Sequence, residues 1–110
     1  MEQAMMVLTN MADMESARSL AATLVERRLA ACVNLLPGVQ SVYRWQGVVE
    51  QSAEVTLLIK TTAGRYGELE QAIRQLHPYE LPELIALPIA AGLPGYLEWI
   101  ALETRKEFNA

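Results

Sequence analysis

Cations are scarce in this chain of 110 residues: lysine stands only at Lys60 and Lys106, and the 9 lysines and arginines face 13 aspartates and glutamates. The net charge is −4 and the isoelectric point is near 4.9. No basic patch is available to neutralise phosphates, so no nucleic-acid partner is expected. Cysteine occurs once, at Cys32, which excludes an intrachain disulfide and a cysteine-built metal cage. A reducing cytoplasm suits that usage. No apolar run approaches the roughly 20 residues of a membrane span. Met1-Glu2-Gln3 lacks the basic start and apolar stretch of a signal peptide, so no membrane is expected and the cytoplasm fits best, with a periplasmic place by some other route left open. Catalytic signatures are missing too: there is no Ser–His–Asp order, no HExxH and no phosphate-cradling glycine loop. Asp13, the only aspartate, reads as a helix cap. The expectation is a protein that is not an enzyme.

What the chain has in excess is apolar residues, 52% against 20% charged. One domain over residues 1–110 builds a core easily from these, and the surplus exceeds what so small a unit can bury alone. The surplus is concentrated in two long strands, Ala31–Trp45 and Val48–Thr62, folded back at Gln46-Gly47. A two-residue loop ending in glycine supplies the positive φ of a primed turn. Val33, Leu35, Val39, Val42, Tyr43 and Trp45 answer Val48, Val49, Val55, Leu57, Leu58 and Ile59, the β-branched and aromatic types that fit a pleated surface. Pro37-Gly38 predicts a kink within the first arm rather than its end. Each arm is far longer than the usual five or six residues. The overhang therefore predicts pairing with another copy of the same chain.

Around this ribbon the order is β-α-β-β-α-β-α. Ala4–Asn10 reads as a buried strand. Asp13 caps a helix with Glu15 in its first turn, Arg27-Arg28 in its last, and Ala17, Leu20, Ala21 and Leu24 as its buried stripe. Gly64–Gly67 connects to a second helix that carries Leu69, Ala72, Ile73 and Leu76 on one face and stops at His77-Pro78. Pro78–Glu83 is an extended loop, Leu84–Ala90 a strand, and Tyr96–Lys106 a third helix introduced by Pro94. That helix has two apolar sides, Leu97, Ile100 and Ala101 on one and Tyr96 and Trp99 on another, which implies two packing partners. The tail 107–110 is expected to fray. The first six elements give an α+β, ferredoxin-like split βαβ arrangement: an antiparallel four-stranded sheet with the first two helices on one face.

Few residues offer chemistry. His77 is the only histidine, and a helix-ending histidine commonly just hydrogen-bonds a backbone carbonyl. It nevertheless shares a proline-stiffened loop with Tyr79, Glu80 and Glu83. Cys32, in a strand, reads as a small apolar filler. Glu54 and Lys60 are charges inside an apolar strand. A hairpin closing at Gln46-Gly47 sets Glu54 across from Val39, on the face of Tyr43 and Trp45, where a charge must be paired, exposed or part of a site.

The segments LAACVNLLPGVQSVYRWQG, EVTLLIKTT, HPYELPELIALPI and GLPGYLEWI resemble the CutA divalent-cation-tolerance family, in register over nearly the whole chain. The resemblance implies the ferredoxin-like fold and a homotrimer in which long hairpins pair between subunits, as in PII-like signalling proteins. It implies a role in tolerance of copper and other divalent cations, with His77, Glu80 and Glu83 as the metal set. Cys32, Trp45, Glu54, Lys60 and Tyr79 would line a cleft between subunits, with Val42, Tyr43 and Trp99 packing the trimer. Metal-binding relatives can carry a cysteine and a second histidine where this chain has Thr9 and Leu76, which leaves His77 as the one obvious nitrogen donor. The alternative is a PII-like module that binds a small anion through Lys60 beside Trp45 and Tyr79.

Overall fold

In the computed structural model, which describes residues 2–106, eight elements follow the expected order. They are β1 (Ala4–Met11), α1 (Met14–Glu26), β2 (Cys32–Trp45), β3 (Val48–Thr62), a 3-10 turn (Ala63–Arg65), α2 (Tyr66–Leu76), β4 (Leu84–Pro88) and α3 (Pro94–Glu103). The tail at 107–110 lies outside the described residues. The strands form one antiparallel sheet in the order β2-β3-β1-β4, the ferredoxin-like topology anticipated from the sequence.

Alternation places Val7 and Met11 of β1, and Val55, Leu57 and Ile59 of β3, on the face covered by α1 and α2. They pack there against Leu20, Leu24, Leu69 and Ile73. Asp13 caps α1, its carboxylate accepting from the Ser16 N–H at 2.7 Å. The far end of α1 differs from expectation. The helix stops at Glu26, so Arg27 is its C-cap and Arg28 lies beyond it with φ 59°. The Arg28 N–H reaches back to the Val25 carbonyl, closing the helix in the left-handed conformation that usually falls to glycine.

The third helix starts earlier and ends sooner than the expected Tyr96–Lys106, because Pro94 already occupies its first turn. It lies on the opposite face of the sheet, packed on β3 and β1, where Tyr96 meets Cys32 and Ile100 is fully buried outside the main core. Tyr96 and Trp99, with ring centroids 5.5 Å apart, form its exposed side.

The hairpin turn has positive φ at both central residues, 49° at Gln46 and 81° at Gly47, as a type I′ turn requires. The kink expected at Pro37-Gly38 is a β-bulge: Leu36 opposes Thr56, yet the next pair is Val39 with Glu54. One extra residue in β2 reverses its alternation. Before the bulge Val33 and Leu35 face the helices; after it Val39, Ser41, Tyr43 and Trp45 face the other way. The ribbon extends the molecule to 48 × 32 × 23 Å with a radius of gyration of 14.7 Å, against about 13 Å for a compact chain of this length.

Candidate functional site

The register counted back from the hairpin turn builds a site. It sets Tyr43, Trp45 and Ser41 on the same side of the ribbon as Glu50, Ser52 and Glu54, which stand opposite Tyr43, Ser41 and Val39. The loop after α2 forms the facing wall with Tyr79, Glu80 and Glu83, and Asn10 at the end of β1 lies between the two. Together they enclose a cleft of about 780 Å³. Among the described residues four glutamates line it, and no lysine, arginine or histidine does.

The loop wall is pinned at both ends. His77 ends α2 and is buried. Its Nδ1 accepts from the Tyr79 N–H at 3.2 Å and its Nε2 lies 2.6 Å from the Asn10 carbonyl. An Nδ1 that accepts leaves the proton on Nε2, which donates to that carbonyl. The imidazole also meets the Tyr79 ring edge-on at 4.6 Å. At the other end Thr9 donates its hydroxyl to the Glu83 carbonyl at 2.7 Å, and the Asn10 amide donates to the Glu83 carboxylate at 3.2 Å. Asn10 is held in turn by the Thr56 hydroxyl at 2.7 Å.

Glu54 is the most confined of the carboxylates, only 8% exposed. The Tyr79 phenol lies close to it, and no cationic side chain among the described residues pairs with it. Partial burial, then the charge of Glu54, holds the Tyr79 phenol above its ordinary 10.0.

Trp45, Tyr43, Val42, Glu54, Tyr79, Glu80 and Glu83 thus come together in one cleft, while other sequence candidates lie elsewhere. Cys32 and Lys60 oppose each other across β2 and β3 beneath α3. Lys60 is six residues along β3 from Glu54, a separation of about 20 Å at strand rise. Cys32 is half-buried against Tyr96 and takes no part in the main core, the place expected for a filler. Trp99 sits on the far side of α3.

The metal set does not assemble within one chain. Both ring nitrogens of His77 are engaged internally, and Glu83 is tied to Asn10. Among the described residues no three His, Cys, Asp or Glu side chains converge as ligands. His77, Glu80 and Glu83 as folded here do not fit a first-row divalent ion, which needs a free imidazole nitrogen and converging donors.

Glu50, Ser41, Ser52 and Asn10 are lining residues that sequence reasoning missed. Glu50 and Ser52 carried a signal, since both share the parity of Glu54 on one strand. Asn10 carried none, being the polar end of a strand read as apolar.

The profile of the CutA1 divalent ion tolerance protein family matches residues 5–103. The divalent-cation tolerance protein CutA of Thermus thermophilus is 49% identical over 98 residues, covering 89% of this chain and 95% of that protein. The CutA protein of Mus musculus is 44% identical over 86% of this chain, which spans only 53% of the mouse protein. Among solved structures, CutA from Xylella fastidiosa superposes with a TM-score of 0.90 at 44% identity, covering 93% of this chain and 98% of that one.

Proposed function

This chain belongs to the CutA1 divalent ion tolerance family, and on that premise we propose that it acts in divalent-cation tolerance, copper included, as a homotrimer. It binds or responds to the ion and catalyses no reaction.

The observation that carries the assembly is exposed apolar surface on the ribbon and the edge strand. Val42 is 65% exposed, Val48 and Val49 are each 58%, and Ile85 and Leu87 are 51% and 48%. Exposed valine on a helix-free ribbon, beside an apolar edge strand, supports cover by another copy. For the ion, the support is family membership and the cleft. Four carboxylates without a counter-charge create a negative potential that concentrates cations, even though no chelate is preformed. The PII-like alternative needs Lys60 beside Trp45 and Tyr79. Within one chain Lys60 stands about 20 Å away, and the cleft's charge repels anions.

Calorimetric titration of metal-free protein with copper and zinc, with mass measured by light scattering, tests both parts. The expected outcome is a trimer that takes up cations weakly, with uptake reduced in Glu54→Gln and retained in His77→Ala. A monomer at micromolar concentration defeats the assembly. Uptake that vanishes in His77→Ala and ignores Glu54→Gln defeats the carboxylate reading.

A further inference from the structure

The cleft poses an electrostatic problem that a metal ion does not solve. Glu54 is more than nine-tenths buried with no cationic partner among the described residues, while Glu50, Glu80 and Glu83 line the same space. Yet these carboxylates do not converge, for no three acidic or imidazole groups among the described residues lie close enough to share one ion. Glu50 and Glu54 are four residues apart on one face of β3, about 13 Å along the strand. A compact divalent ion can serve only one of them at a time. An extended polycation, with its charges separated by methylene spacers, can serve several.

The walls suit the rest of such a molecule. Tyr43, Trp45 and Tyr79 are each roughly 40% exposed and turn aromatic surface toward the cleft. Ring faces attract ammonium groups and cover aliphatic stems. Ser41 and Ser52, opposite each other in the ribbon, supply hydroxyl acceptors between the acidic positions. Among the described residues no arginine or lysine lines the cleft.

We propose that the Glu50–Glu54–Tyr79 cleft is a binding site for an aliphatic polyamine. Glu54 receives one ammonium group, Glu50 and the loop glutamates the others, and Tyr43 and Trp45 lie along the chain. This deepens the reading of the cleft as the cation-attracting site and rests on it, and in a trimer on Tyr43 and Trp45 staying open to the cleft. Binding removes the isolated charge of Glu54 and bridges the ribbon to the loop held by His77, stiffening both walls.

Spermidine is the probe, titrated into metal-free full-length protein by calorimetry, with magnesium chloride and inorganic phosphate as comparisons. Spermidine is expected to bind, to quench Trp45 emission, and to lose affinity as salt rises from about 20 to 200 mM. Glu54→Gln should weaken it at least about tenfold, because charge-assisted bonds to a desolvated carboxylate are the strong ones. Glu50→Gln, at an exposed position, guards against a folding defect and should weaken it by about threefold. No spermidine binding to the folded chain overturns the proposal, as do equal affinities in both glutamate variants, magnesium binding as tightly as spermidine, or phosphate binding in its place. Copper and zinc titrations separate the two readings. Spermidine binding without metal uptake sinks only the metal reading, and metal uptake through Glu54 that spermidine neither matches nor displaces sinks only this one.

Discussion

Ile59 and Val49 are β-branched residues on the same side of β3, yet Ile59 is fully buried and Val49 is 58% exposed. What separates them is cover. The strand of 15 residues runs about 50 Å, while α1, with 13, runs about 20 Å and α2 is shorter still. The helices back one end of the ribbon and leave the other bare. The two ends therefore obey different rules: the backed end is stabilised within the chain, and the bare end gains burial only from a partner. Residue type decides that both are strands, and the length of the helices decides which part is core.

The largest expected effect breaks the backed end. Leu57→Ala removes a fully buried side chain from the core and should cost about 3–5 kcal/mol, read as a lower urea midpoint at unchanged slope. If Val49→Ala in isolated chains costs as much, the two ends do not differ as argued. A charge on uncovered apolar surface, at the bare end or on α3, should act next most strongly, and on assembly alone. Val42→Asp or Trp99→Asp should weaken association by roughly 2–3 kcal/mol through an unpaired buried charge, with far-UV circular dichroism preserved. An intact trimer in both variants contradicts this.

The junction between the ends sharpens the comparison. His77→Ala gives up two hydrogen bonds, to Asn10 and Tyr79, worth about 2 kcal/mol together. Its specific mark is faster hydrogen exchange at the Tyr79 amide, with the core amides still protected. Tyr79 gives the smallest effect. Its phenol titrates above the ordinary 10.0 in the fold, so its contribution is complete below that value and is lost as pH rises through the raised one. Tyr79→Phe should flatten the alkaline fall in melting temperature, and an unchanged profile would show that the phenol's partial burial and the nearby charge of Glu54 do not raise it.

Much of this was legible from local pattern. Gln46-Gly47 announced a primed turn, and counting back from it paired Glu54 with Val39, as the structure has it. Pro37-Gly38 marked the bulge. What escaped was whatever depends on distance through space. Cys32 and Lys60 belong to the same two strands as Trp45 and Glu54, but a strand that long puts its ends in different neighbourhoods. The end of α1 also escaped, because Arg28 takes a left-handed conformation that nothing in its type announces. The two nitrogens of His77 are spent on partners 67 residues upstream and two residues downstream. No spacing rule shows the first of these.

The bulge at Pro37-Gly38 works like a phase marker in a written message. Losing a single codon there would leave one-for-one pairing between Leu36–Thr56 and Val39–Glu54, keep Tyr43 and Trp45 opposite Glu50 and Val48, and spare the cleft. Insertions and deletions are usually harmless in surface loops and damaging in strands. Here one residue's worth of length can go without moving the site, because the turn and the unbroken β3 set which face the site lies on.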